Sequence, residues 1–149
     1  MTAWLVLALC AGLGVGQPTT DGQESVRIYV FTAQAAEGSS SDEAFKARLS
    51  AVRDLRDALR RKPGLSVVDD RTVADVVVEV TARDQQSLGD GGFGGARLTQ
   101  LVNTTIRLNV TAGAHQTEMK GSASGTGARA AKDAADRLLK WIVRTREGR

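Results

Sequence analysis

From Val26 onward the chain alternates between two periodicities. In VRIYVFTA (26–33), Val26, Ile28 and Val30 fall on one side of an extended backbone and Arg27, Tyr29 and Phe31 on the other, which predicts a strand. In SSDEAFKARLSAVRDLRDALRRKPG (40–64) the apolar spacing changes to three and four. Phe45, Leu49, Val52, Leu55 and Leu59 form one helical stripe. Ser40 and Glu43 have the capping-box spacing, and Pro63-Gly64 ends the helix. Asp42 with Lys46 and Asp57 with Arg61 have the spacing of acid-before-base pairs one turn apart. Arg60, Arg61 and Lys62 suit the negative end of the helix dipole, so this basic cluster reads as a helix terminus rather than a ligand site.

Period two then returns. LSVVDD (65–70) predicts a short strand and ADVVVEVTARD (74–84) a longer one. In the second, Val76, Val78, Val80 and Ala82 are expected on one face, and Val77, Glu79, Thr81 and Arg83 on the other. TTIRLNVTAG (104–113) and HQTEMKGSASG (115–125) alternate as well, and the turn at Gly113 joins them in a hairpin. Gly121 and Ala123 are small on the inward side, as a closely packed helix requires. That helix is GARAAKDAADRLLKWIVRTRE (127–147), preceded by Thr126 as its cap. Ala131, Ala134, Leu138, Ile142 and Thr145 line one face, and Asp133–Arg137 and Asp136–Lys140 are one turn apart.

Each strand thus has one apolar and one polar face, and each helix one apolar stripe. The economical arrangement is a two-layer α+β sandwich in the order β-α-β-β-β-β-α. Two helices would pack on one face of a mostly antiparallel sheet of four to five strands. The first strand–helix–strand unit is expected to form a parallel pair.

SLGDGGFGGARLTQ, beginning at Ser87, carries five glycines around Phe93. A P-loop requires a strand before it, a helix after it and a Gly-Lys-Ser/Thr ending, and a dinucleotide fingerprint requires a helix directly after its glycines. Here strand-like sequence lies on both sides. The stretch therefore reads as a hairpin arm spanning 84–103. Leu88, Phe93, Leu98, Leu101 and Val102 give the arm an apolar character suited to contact with a partner or a membrane surface.

Before Val26 the pattern is different. MTAWLVLALCAGLGVG (1–16) contains no charged side chain, is too short for a comfortable membrane span, and has the length of a signal-peptide core. QPTTDGQES (17–25) reads as a polar tether to a single domain over 26–147. The expected location is therefore outside the cytoplasm, in the periplasm or envelope. Cys10 is the sole cysteine, so no disulfide forms within the chain. Leu7-Ala8-Leu9-Cys10 partly resembles a bacterial lipobox but has Leu9 where that pattern has a small residue. The simpler reading is a cysteine lost with the leader.

Composition narrows the chemistry. Among 149 residues 42% are hydrophobic and 4% aromatic, so the core is aliphatic and alanine-rich. The net charge is +3, with acids interspersed among the arginines rather than excluded from one stretch, which argues against a nucleic-acid interface. His115 is the single histidine and lies beside a turn; zinc needs three or four ligands, and no Gly-x-Ser-x-Gly elbow accompanies a possible triad. Asp69, Asp70 and Asp75 crowd between two strands. Carboxylates so grouped can do acid–base work or hold a cation, although aspartate is also a common turn residue. Asn103-Thr104-Thr105 and Asn109-Val110-Thr111 are glycosylation sequons, which matter only in a eukaryotic secretory pathway.

The order strand–helix–strand, then ADVVVEV with its Ala74-Asp75 step, a meander and an alanine-rich last helix resembles a group of small exported bacterial envelope domains. These include the N-terminal domain of TolB, the LpoB-type activators of cell-wall synthases and the periplasmic part of curli-secretion channel subunits. The resemblance implies a binding or assembly module rather than a catalyst, without a cofactor. The expected function is accordingly a non-enzymatic accessory that binds another envelope protein through Tyr29, Phe31 and Arg107 or through Leu88, Phe93 and Leu98 of the arm. Two alternatives differ in class. One is an enzyme or inhibitor acting on an envelope polymer through Asp69, Asp70 and Asp75. The other is a carrier holding a small ligand or lipid between helices and sheet.

Overall fold

Five strands and two helices are seen in the computed structural model, which describes residues 25–33, 42–88 and 101–147. In chain order they are β1 (Val26–Phe31), α1 (Asp42–Arg60), β2 (Leu65–Val68), β3 (Val76–Leu88), β4 (Leu101–Ala112), β5 (His115–Ser124) and α2 (Gly127–Glu147), with a single 3-10 turn at Arg71–Val73. The strands form one sheet in the order β2-β1-β3-β4-β5. This is the expected order of elements in an α+β sandwich.

The sheet is mixed: its two long ladders are antiparallel, as expected, and two short ones are parallel. β1 lies between β2 and β3 and is parallel to both, whereas β3–β4 and β4–β5 are antiparallel. The helix α1 supplies the long connection that the parallel β1–β2 pair requires. The return from β2 to β3 must pass across β1. It does so on the side away from the helices: the Arg71 guanidinium stands 5.5 Å from the centroid of the outward-facing Phe31 ring.

The inner face is aliphatic. Val26, Ile28 and Val30 of β1, Val76, Val78 and Val80 of β3, and Ile106, Leu108 and Val110 of β4 are buried. Against them pack Ala51, Leu55 and Leu59 of α1 and Ala130, Ala131, Ala134, Ala135, Leu138 and Ile142 of α2. Both helices thus cover one face. The α1 stripe is rotated from the expected one, since Ala51 is buried and Leu49 is 47% exposed. The first fully buried residue of α1 is Ala51; before it Ala44, Phe45, Ala47 and Arg48 are half-buried, and Arg48 Nε donates to Thr32 Oγ1 at 3.2 Å. Its ion pairs differ too. Asp57 meets Arg60 at 3.3 Å rather than Arg61, and Asp136 of α2 meets Lys62 rather than Lys140. The second contact ties the end of α1 to α2, while Asp133–Arg137 pairs as expected at 3.0 Å.

The alternation of β3 holds only to Val80. The register with β4 shifts between Val80 and Ala82, so a bulge places one extra residue on β3. Beyond it, Ala82 lies opposite the exposed Arg107 and Arg83 opposite the buried Ile106. Arg83 therefore enters the helix side of the sheet, the reverse of the sequence expectation. There its Nη1 donates to Ser50 Oγ at 2.8 Å and meets Asp54 Oδ2 of α1 at 3.4 Å. Gly127, the first residue of α2, allows this: a Cβ there would stand 2.5 Å from Arg83 Cζ. The β3–β4 ladder continues to Leu88 opposite Leu101. Residues 89–100, holding the glycines, Phe93 and Leu98, lie outside the described residues.

Candidate functional site

The face of the sheet opposite the helices is built by the register. Across it, Val68, Tyr29, Val77, Thr111 and Gln116 form one row. Phe31, Glu79, Asn109 and Glu118 form the next. Ala82, Arg107 and Lys120 form a third. Tyr29 and Phe31 stack with centroids 5.6 Å apart and ring planes 21° from parallel. With Val68 and Val77 beside Tyr29, they make a half-buried apolar end to an otherwise polar face. Arg71 closes one side by its contact with Phe31.

Arg107 lies two strands away on the same face. It pairs with Asp84 across the β3–β4 ladder at 3.0 Å. It also borders an open groove of ≈ 520 Å³ walled by Thr81, Asn109, Glu118 and Lys120. The bulge shapes that end, and the Thr81 hydroxyl donates to the Arg107 carbonyl at 3.3 Å. Tyr29 and Phe31 are thus brought together, and Arg107 shares their face without touching them. The side chain of Leu88 lies outside the description, although its backbone closes β3. Cys10 lies outside the described residues.

The three aspartates between β2 and β3 answer to different partners. Asp69 pairs with Arg56 of α1. Asp70 caps the 3-10 turn, accepting from the Thr72 amide and hydroxyl, both at 2.8 Å; the amide bond above all lowers its pKa, the hydroxyl bond next. Asp75 extends the β1–β3 ladder. Its amide donates to the Arg27 carbonyl at 2.8 Å, and its carboxylate accepts from the Arg27 amide at 2.8 Å. The Arg27 guanidinium adds bonds of 3.2 and 2.9 Å. These side-chain bonds, followed by the amide, hold the Asp75 carboxyl below the usual carboxylate range. The Ala74-Asp75 step is therefore a strand-entry device: the carboxylate takes the place of a backbone acceptor. Among the described residues no three His, Cys, Asp or Glu side chains are grouped to hold a metal ion. His115 is exposed at the start of β5.

A cleft of ≈ 290 Å³ opens at the other end of the molecule. Val26, Val76, Ala112, Trp141 and Ile142 form its walls, and Asp75, Thr145 and Arg146 its polar rim. It lies between the C-terminal half of α2 and the sheet. A second depression, between the helices, is lined by Asp54, Asp57, Arg61, Lys62, Arg129 and Lys132, so it presents mixed charge to solvent.

Two arrangements were not evident from the sequence. One is the Arg83–Ser50–Asp54 contact, for which the bulge leaves no hydropathic mark. The other is Asp133, whose carboxylate accepts from the Ser122 amide of β5 at 3.0 Å and also meets Arg137.

No protein-family model matches the chain, and no curated protein matches it. Among solved structures it is similar to the solution structure of an uncharacterized lipoprotein B from Nitrosomonas europaea, with 14% sequence identity and a TM-score of 0.37. That similarity covers 79% of this chain and 82% of the other. No helix among the described residues is long and apolar enough to cross a membrane.

Proposed function

We propose that the protein is a non-enzymatic accessory of the cell envelope, exported by its apolar leader, that binds another protein through the outer face of its sheet. One observation carries this reading. The two aromatic side chains of β1 stack half-buried on the face opposite α1 and α2, beside the β2–β3 connection, instead of entering the core. Aromatic anchors with arginine nearby are the usual centre of a protein-binding patch. The groove beside Arg107 continues the surface with hydrogen-bonding groups.

The carboxylates argue for the same choice. Asp69, Asp70 and Asp75 are each held by a separate structural partner, so they do not converge on a reacting atom. The carrier alternative has one observation in its favour, the cleft beside Trp141, which at ≈ 290 Å³ suits only a small ligand. Native mass spectrometry of the purified protein tests it, because a carrier retains its ligand as a discrete added mass.

The test of the leading reading is site-specific photocrosslinking in the native cell. A photoreactive residue replaces Phe31, Arg107 or, as a control on the exposed helix side, Arg53. The expected result is one discrete protein adduct shared by Phe31 and Arg107 and absent at Arg53. Equal labelling at all three positions, or none at the first two, overturns the proposal.

A further inference from the structure

β5 is an edge strand, and its open edge is short and sharply bounded. Ala112 pairs with His115 across a two-residue turn, so alternate residues of β5 point their backbone groups at β4. The others, Gln116, Glu118, Lys120 and Ser122, point theirs outward. At Ser122 that amide is already taken by Asp133 of α2. The strand therefore offers unpaired backbone groups at Gln116, Glu118 and Lys120 and is closed beyond them. Charged side chains commonly protect an edge against pairing. Here they have opposite sign and stand two residues apart on one face. Neither forms an ion pair with another described residue, and Lys120 lies directly opposite Arg107, a like charge.

We propose that β5 pairs antiparallel with β5 of a second copy of the chain, about a twofold axis at Met119, to make one ten-stranded sheet. Charge selects this register. With the axis at Met119, Glu118 lies opposite Lys120 of the second copy, twice by symmetry. With the axis one residue earlier, Glu118 would face its own copy, which like-charge repulsion disfavours. The same axis serves the other face of the strand. Met119 is the one large apolar side chain of β5, is packed on the core only in part, and would meet its counterpart at the axis. The helices leave room for this. α2 stands over the Gly121 end of β5 at Ala134, and its Trp141–Thr145 stretch lies instead beside Val26 and Val76 of the inner strands. The two copies of α2 would therefore approach the shared edge at opposite ends. The pairing continues the outer face of one copy into that of the other without covering Tyr29 or Phe31, so it stands independently of the partner proposed above.

Sedimentation equilibrium of the purified protein tests this, with Glu118→Lys, Lys120→Glu and the double exchange. The expected result is a reversible dimer whose dissociation constant rises at least about tenfold in either single variant and returns toward wild type in the double exchange. A wild-type protein that stays monomeric up to about 1 mM overturns the proposal. So do single variants that dimerise as well as wild type, and a double exchange that fails to recover. Circular dichroism identifies any variant that fails to fold. A second measurement avoids charge altogether. In a Cys10→Ser background, Met119→Cys should oxidise to a covalent dimer, because residues facing each other on the axis have Cα atoms about 4.5 Å apart. Thr117→Cys, displaced from its copy along the strand, should not. Crosslinking of both variants to the same extent, or of neither, rejects the register.

Discussion

Gly121 of β5 lies directly beneath Ala134 of α2, so close that a Cβ on the glycine would stand 2.5 Å from the Ala134 Cβ and would also collide with the Ala130 carbonyl. The contact joins sequence to fold. Small residues on the N-terminal half of α2 and on the inner face of β5 let helix and strand approach at backbone distance. Gly121→Ala should therefore destabilise the protein although it adds one methyl group. The obstacle includes backbone, which cannot rotate away, so overpacking of about 1–3 kcal/mol is expected. Urea unfolding at equilibrium measures it, and Gly121→Val should cost more. A neutral Gly121→Ala would mean that α2 stands further from the sheet.

The guanidinium of Arg83 lies between sheet and helices with 13% of the side chain exposed, where its Nη1 donates to Ser50 and meets Asp54. Arg83→Ala removes both contacts and the packing of the guanidinium against Gly127. A loss of about 1–3 kcal/mol is expected. A double-mutant cycle with Asp54→Ala should show a coupling of about 0.5–1 kcal/mol, modest because both groups retain some solvent. Additive losses would place Arg83 on the outer face, where simple alternation puts it.

That misplacement shows what period two can and cannot carry. Val76, Val78 and Val80 mark the inner face of β3 because valine in a half-buried strand has one favourable side. Thr81, Ala82 and Arg83 are acceptable on either side, so an inserted residue among them leaves no hydropathic trace. Similarly, alternation identified Tyr29 and Phe31 as outward neighbours two residues apart, and hence a possible surface pair. It carried no information on which strand would lie beside them. The placement of Arg107 two strands away depends on the order β2-β1-β3-β4, and parallel and antiparallel neighbours look alike when one face of each strand is wet. The aspartates between β2 and β3 were legible as a cluster but not as a set of separately paired groups, because their partners Arg27 and Arg56 are distant in sequence.

The rotation of α1 gives a direct comparison of sequence stripe and structure. Leu49 and Leu55 are equivalent in the periodic pattern, yet Leu49 is 47% exposed and Leu55 is fully buried. Leu55→Ala should cost about 2–5 kcal/mol through lost burial and the cavity left behind. Leu49→Ala should stay within about 0.5 kcal/mol, the range of surface substitutions. Thermal or urea unfolding of the two variants side by side checks this. Comparable losses would restore the stripe through Phe45 and Leu49.

Acid should unfold the protein through carboxylates that the folded chain holds ionised. Hydrogen bonds from the Arg27 side chain, then from its amide, lower the pKa of Asp75, and the Lys62 ammonium lowers that of Asp136. In the unfolded chain both return to a value near 3.9. Because the folded values are the lower ones, the stability they confer is fully present above the unfolded value and is lost as pH falls through the folded values. The urea midpoint should therefore be level above about pH 5 and decline below about pH 4. Asp75→Asn keeps an acceptor for the Arg27 amide but cannot be protonated in this range. It should lower stability at neutral pH and make the acid decline shallower. Lys62→Met should act on Asp136 in the same sense by removing the cation that favours its charged form. An acid decline in Asp75→Asn as steep as that of the wild type would mean that the Arg27–Asp75 contact does not distinguish the folded carboxylate from the unfolded one.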